Sequence, residues 1–141
     1  MNDDPVLMRL LEKFAQADCC WFGSTRPDGR AHLAPIWHVW HEGRVYVVTQ
    51  ENSVRAANIA QQPAVSLALP DPMNVLIIEG EARVAPAAAA MLRPLYRQKY
   101  QWDIDADTDY GLIIEVTPRK IMAWGADGDG RWRFPADGSA V

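Results

Sequence analysis

The stretch from Asn74 to Ala85, NVLIIEGEARVA, sets Leu76, Ile78, Ala82 and Val84 at one parity and Glu79, Glu81 and Arg83 at the other. Alternation of apolar and charged side chains is the period of a strand with one face on a core, and a helix cannot satisfy it. Similar signals crowd the chain on both sides. AVSLALP, residues 64–70, sets Val65, Leu67 and Leu69 against the small Ala64, Ser66 and Ala68, which predicts a strand covered on both faces. CCWFGSTRPDGRAHLAPIWHVWHEGRVYVVT, residues 19–49, is rich in β-branched and aromatic residues and is cut at Pro27-Asp28-Gly29 and His41-Glu42-Gly43. Two tight turns between three antiparallel strands, a meander, are the expectation. YGLIIEVTPRKIMAWG, residues 110–125, reads as two further strands separated at Thr117 and Pro118.

Helices are few and short. Leu7, Leu10, Leu11 and Phe14 recur at helical spacing after Asp4, a cap, and Pro5, a first-turn residue. A second helix begins near Val54 behind Asn52 or Ser53 and ends before Pro63. A third opens at Pro86, and Pro94 should kink or divide it. About seven closely spaced strands with so little helix predict a mainly β fold, a closed or nearly closed antiparallel barrel. With 49% hydrophobic residues, 141 residues suit one domain spanning 1–141, and the Gly- and Asp-rich tail at 126–141 is expected to be partly mobile.

The net charge of −4 argues against a surface built for nucleic acid or an anionic membrane. No run approaches the roughly 20 apolar residues of a membrane span, and the acidic start MNDDP is unlike a signal peptide, so a cytoplasmic protein is expected. Cys19 and Cys20 are adjacent, point to opposite strand faces and are expected to be free thiols.

Several patterns that resemble chemistry fail on spacing. Asp103, Asp105, Asp107 and Asp109 suggest a calcium loop, but the Gly and Glu positions of such a loop are Thr108 and Ile114 here. His38 and His41 point to opposite faces of an extended strand, and His32 stands roughly 20 Å from His38 along it, so the three cannot chelate one ion. Surface or barrel-rim histidines are expected, with His38 or His41 a proton donor if a ligand lies near. No Gly-x-Ser-x-Gly elbow or Walker-type loop is present, and Glu79 and Glu81 read as solvent- or dimer-facing charges.

The segment TQENSVRAANIAQQP, residues 49–63, points to binding. A helix start behind Ser53 leaves free N–H groups and the positive dipole end at a strand exit, which is an anion site. Arg55 in the first turn is a poor partner for that dipole and needs a negative group. From this segment alone, a plain cap with Arg55 paired to a nearby acid such as Glu51 or Glu79 is the favoured account. In APIWHVW, Pro35 cannot donate a ladder hydrogen bond, so an edge, bulge or opening is expected there, and a planar aromatic ligand could lie against it.

The order DGRAHLAPIWHVWHEGRVYVVTQENSVRAANIAQQPAVSLAL, then VLIIEGEARV, then PRKIMAW, resembles the pyridoxamine 5'-phosphate oxidase-like superfamily, the split β-barrels that bind flavin mononucleotide (FMN). The resemblance covers about residues 8–125. It implies a homodimer with cofactor sites at the subunit interface, acting as an oxidoreductase on a small organic molecule. The strand matching Pro35, Ile36 and Trp37 would line the flavin ring. Thr49 and Gln50 would lie near the ribityl chain or ring, and Ser53 and Arg55 would bind phosphate. Where the family carries a basic pair after the serine, Val54 occupies the first place. Trp124, or Trp132 in the tail, would close the site from either subunit. The tail GRWRFP matches poorly the substrate-gripping end of the vitamin-synthesising oxidase. The compact form resembles the branch that uses FMN or a deazaflavin cofactor. A non-catalytic flavin- or haem-binding module is the remaining alternative, with His32, His38 or His41 as the axial candidate.

Overall fold

The computed structural model describes residues 4–135. Eight strands and three helices follow in the order α1 (Pro5–Gln16), β1 (Cys20–Thr25), β2 (Ala31–Ile36), β3 (Val39–His41), β4 (Arg44–Thr49), α2 (Val54–Gln61), β5 (Ala64–Ala68), β6 (Asn74–Val84), α3 (Ala89–Tyr100), β7 (Leu112–Gly125) and β8 (Gly130–Arg133). The strands form one antiparallel sheet in the order β2-β1-β5-β6-β7-β4-β3, with β8 added to β7, curled into a half-barrel of the split β-barrel type.

The two tight turns fall where the sequence places them. Between β3 and β4, Glu42 and Gly43 both have positive φ, 48° and 78°, the backbone that a two-residue hairpin of right-handed twist demands. The meander does not form. Instead of one middle strand, residues 31–41 make two, and these occupy opposite edges of the sheet with only Trp37 and His38 between them. A two-residue link cannot reach across a flat seven-strand sheet, so the sheet must curl until its edges meet. Pro35, paired opposite Trp21, sits on the edge strand β2, as its missing N–H requires. The break is held by α3. The Tyr100 hydroxyl accepts from the His38 N–H at 3.0 Å, and Lys99 Nζ donates to the His38 carbonyl at 2.7 Å. Backbone groups that lose a strand partner thereby gain side-chain ones.

β7 is likewise one strand rather than two. Its register against β6 slips beside Glu79 and Gly80, which face Lys120 and Pro118. The ladder skips Arg119, so the proline produces a bulge and a bend instead of an end. Gly80 is required at this point, because a Cβ there would lie 2.4 Å from the Thr117 carbonyl oxygen. In the tail, residues 130–133 form β8 on β7; the end expected to be mobile, residues 136–141, lies outside the described residues.

Two hydrophobic clusters share β4. Val45 and Val47 point into the half-barrel with Leu7, Leu10, Leu11 and Phe14 of α1, Leu67, Ile78 and Ile121. Tyr46 and Val48 point the other way and pack with Leu92 and Tyr96 of α3. α3 runs unbroken through Pro94, and a 3-10 turn at Pro86–Ala88 precedes it. The proline lies on the exposed face, where the carbonyl it leaves unpaired, that of exposed Ala90, meets water. β5 is covered on one face only: Val65 and Leu67 are buried whereas Ala64 and Ser66 are exposed. Val84, at the last position of β6, is also exposed. Among the described residues no helix is long and apolar enough to cross a membrane.

Candidate functional site

α2 begins where β4 leaves the sheet. Ser53 is its cap, and the Ser53 hydroxyl accepts from the Ala56 N–H at 3.1 Å. The Ala57 N–H donates to the Ser53 carbonyl. The N–H groups of Val54 and Arg55 come before the first intrahelical bond and carry the positive end of the helix dipole. Asn58, fully buried, donates to the Ser24 hydroxyl at 3.0 Å and fastens this helix to β1.

Arg55 is the unusual residue. It is only 7% exposed, its guanidinium lies 4.9 Å over the Phe22 ring, and it donates to Thr49 Oγ1 at 3.2 Å and to the Ala34 carbonyl at 3.3 Å. Its Nε is buried with no hydrogen-bond partner. No carboxylate stands within ion-pair distance among the described residues, so neither Glu51 nor Glu79 partners it. Burial holds its pKa below the usual guanidinium value. A buried cation held only by neutral acceptors is costly, and an anion beside it would offset that cost.

These groups face a cavity of about 740 Å³, within the size range of cofactor sites. Pro35, Ile36, Trp37, Thr49, Gln50, Ser53, Val54 and Arg55 all line it, so β2 and the β4–α2 turn converge on one cavity. Trp124 does not. It lies near the end of β7 opposite Val75, half-exposed and outside the lining. Nor does Trp132, whose Nε1 donates to Asp4 at 3.1 Å and ties β8 to the start of α1.

The histidines separate. His38 is not a surface residue: it is fully buried, stacked on Phe14 at 4.2 Å, with Nε2 bonded to the Phe14 carbonyl at 2.8 Å. It neither donates to a ligand nor ligates a metal from there. His41 lies beside Glu42 on the β3–β4 hairpin, outside the cavity. Only His32 lines the cavity, and its Nδ1 is buried without a partner. Burial first, then the charges of Arg26 and Arg55, lower its pKa, so the ring is neutral at neutral pH. Cys19 and Cys20 are free thiols, as expected, and burial pushes Cys20 up to about 12, which leaves it inert. The aspartate-rich loop forms no metal cluster among the described residues.

The far wall was not foreseeable from spacing. Tyr96 of α3, Trp102 and Tyr110 line the cavity, as does Asp107. They belong to the segments that carry no motif, and only the docking of α3 against β4 brings them beside β2.

A split β-barrel with a ligand-sized cavity at its seam, a buried uncompensated arginine at one end and aromatic rings at the other, defines the class of fold and site. The chain belongs to the pyridoxamine 5'-phosphate oxidase family, whose model matches residues 8–125. Among solved structures it is similar to one described as an F420 reductase, at 19% identity and a TM-score of 0.65, covering 78% of this chain and 94% of that one. It is similar to General Stress Protein 26 from Bacillus anthracis str. Sterne, at 17% identity and a TM-score of 0.73, covering 91% and 98%. It is also similar to a heme binding protein from Mycobacterium smegmatis, at 13% identity and a TM-score of 0.72, covering 94% of this chain and 60% of that one. At these identities the likeness is one of fold. No curated protein matches the chain.

Proposed function

We propose that the cavity binds a flavin-type cofactor by its phosphate, FMN or a deazaflavin, in an oxidoreductase acting on a small organic molecule. The observation that carries this reading is Arg55, a buried guanidinium with an unpartnered Nε and no carboxylate, beside the start of α2. The residues fit the group. Arg55 supplies a charge, Ser53 and Thr49 keep hydroxyl protons to donate, and the Val54 and Arg55 N–H groups add dipoles of the right sign. Val54 adds only an apolar surface, so Arg55 bears the charge that the family divides between two residues. The family commonly binds flavin or deazaflavin.

When bound, the cofactor supplies hydride transfer. The protein's part is placement. Because β2 is an edge strand, the backbone groups it does not share with β1 are available along the cavity, and Ala34 already gives its carbonyl to Arg55. Pro35 and Ile36 line the cavity with apolar surface against which a ring would lie, up to Trp37 at the aromatic end. Exposed Leu33, Trp37 and Val54 around the seam, and the open Ala64/Ser66 face of β5, favour a homodimer with the site at its interface. In that arrangement Trp124 serves the partner's site rather than its own.

FMN and riboflavin titrations of the wild type and Arg55→Ala test the reading. Loss of one charge-assisted bond weakens FMN by about 1.5–3 kcal/mol, roughly tenfold to 150-fold. Riboflavin, without phosphate, is little affected and reports that the site is still folded. Equal FMN affinity in both proteins would exclude the phosphate assignment. His32 favours one other reading, a haem pocket, because it is the single cavity histidine and has a buried free Nδ1. A haem spectrum abolished by His32→Ala, with FMN unbound, would select it.

A further inference from the structure

The aromatic wall of the cavity has more order than packing requires. Trp37 and Tyr100 stack face to face, with centroids 4.3 Å apart and planes 2° from parallel, so a single face of Trp37 is left open, and the residue stays 48% exposed. Trp102 stands edge-on to Trp37 at 6.2 Å and 79°, and Tyr110 stands edge-on to Trp102 at 6.2 Å and 89°. Tyr96 braces Trp102 from behind at 5.7 Å. Rings gathered only to fill a core would be buried, yet Trp37 and Tyr110 keep large exposed surfaces beside the cavity.

The loop that supplies Trp102 and Tyr110 also supplies the charge. Asp103 pairs with Arg97 at 3.5 Å, and Asp105 with Arg93 at 2.7 Å. Asp107, the one aspartate of the loop that lines the cavity, has no cationic partner within ion-pair distance among the described residues. Its carboxylate accepts the N–H of Asp109, a neutral donor, at 3.0 Å. The cavity is therefore polarised, with Arg55 at one end and Asp107 among aromatic rings at the other.

We propose that this end of the cavity is a cage for an organic cation whose charge is spread over a flat, N-alkylated heteroaromatic ring. Ring faces carry negative electrostatic potential and attract such a cation, more strongly once water is displaced. Asp107 supplies the counter-charge, and the open face of Trp37 supplies a stacking platform. A compact inorganic cation would gain little from three rings and one carboxylate, and an anion is repelled by Asp107. The assignment rests on the flavin reading only for which end of the cavity is left to the substrate.

Calorimetric titration of the full chain with N-methylquinolinium and with quinoline, neutral at neutral pH, tests it. The cation should bind at least roughly tenfold more tightly than its neutral counterpart. Asp107→Asn should remove most of that preference, and because Asp107 is exposed the variant should fold normally. Tyr110→Leu, also at an exposed position, should weaken both ligands while the cation loses more. FMN affinity, measured in parallel, should not weaken in Asp107→Asn. Equal binding of cation and neutral ring, or a preference that survives Asp107→Asn, would overturn the cage. Failure of FMN to bind with the cation preference intact would remove the flavin reading and uphold the cage. FMN binding without any cation preference would do the reverse.

Discussion

Acid should destabilise this protein over a window set by His38. The imidazole is fully buried, and its Nε2 lies 2.8 Å from the Phe14 carbonyl. A carbonyl only accepts, so Nε2 carries the proton and Nδ1, buried without a partner, is the atom that must take a second one. Burial, and after it the positive charge of Lys99, push the pKa from 6.5 down to about 4, against a small opposing effect of the Phe14 bond. In the unfolded chain the same ring titrates near 6.5. Between these values the unfolded state holds a proton that the folded state refuses, so the stability present above pH 6.5 is lost as the pH falls toward about 4. A gap of about 2.5 in pKa at 1.36 kcal/mol for each corresponds to about 3 kcal/mol. That is a large share of the roughly 5–15 kcal/mol that holds a typical domain folded. The depressed carboxylates Asp4, Asp28 and Asp71 act only below their usual 3.8, outside the window, whereas His32 adds to it with the same sign. Urea unfolding of wild type, His38→Gln and His32→Gln from about pH 7 to about pH 4.5 separates them. His38→Gln should be less stable at neutral pH and should have lost most of the slope. A slope equal to that of the wild type would show that His38 is not the group being titrated.

Two smaller perturbations test the scaffold around the site. Ser53→Ala removes the side-chain acceptor of the Ala56 N–H and should cost about 1 kcal/mol in a denaturant titration; an unchanged midpoint would mean that the cap is dispensable. Gly80→Ala drives a Cβ to 2.4 Å from the Thr117 carbonyl oxygen and 3.1 Å from Val116. The bulge must give way at a cost of about 1–3 kcal/mol, read as a lower melting temperature, and wild-type stability would refute the close approach.

What was legible in the sequence was what is local. α1, its Asp4 cap and its buried face of Leu7, Leu10, Leu11 and Phe14 depend on neighbours within one or two turns. So do the two hairpin turns and the Ser53 cap of α2, and eight of the nine residues expected at the site line one cavity. Trp124, the ninth, lies near the end of β7, half-exposed and outside that cavity.

Tertiary structure alone decided the rest. Alternation says that residues 31–41 are extended, but it does not say that the chain leaves one sheet edge at Trp37 and re-enters at the other. That outcome requires Tyr100 and Lys99, some sixty residues away, to satisfy the His38 backbone. His38 itself has the local pattern of a strand-end histidine, and only the packing of Phe14 against it makes it a core residue. The aromatic end of the cavity is gathered from the β2–β3 link, α3 and the aspartate loop, with nothing in their sequence periods to relate them. Hydrophobic period and turn chemistry act within a few residues and so determined the strands, the helices and the Ser53-capped start of α2 with Arg55 in its first turn. The pairing of distant edges and the docking of α3 depend on which buried surfaces and backbone groups find partners, and those choices placed Arg55 and Asp107 in one cavity.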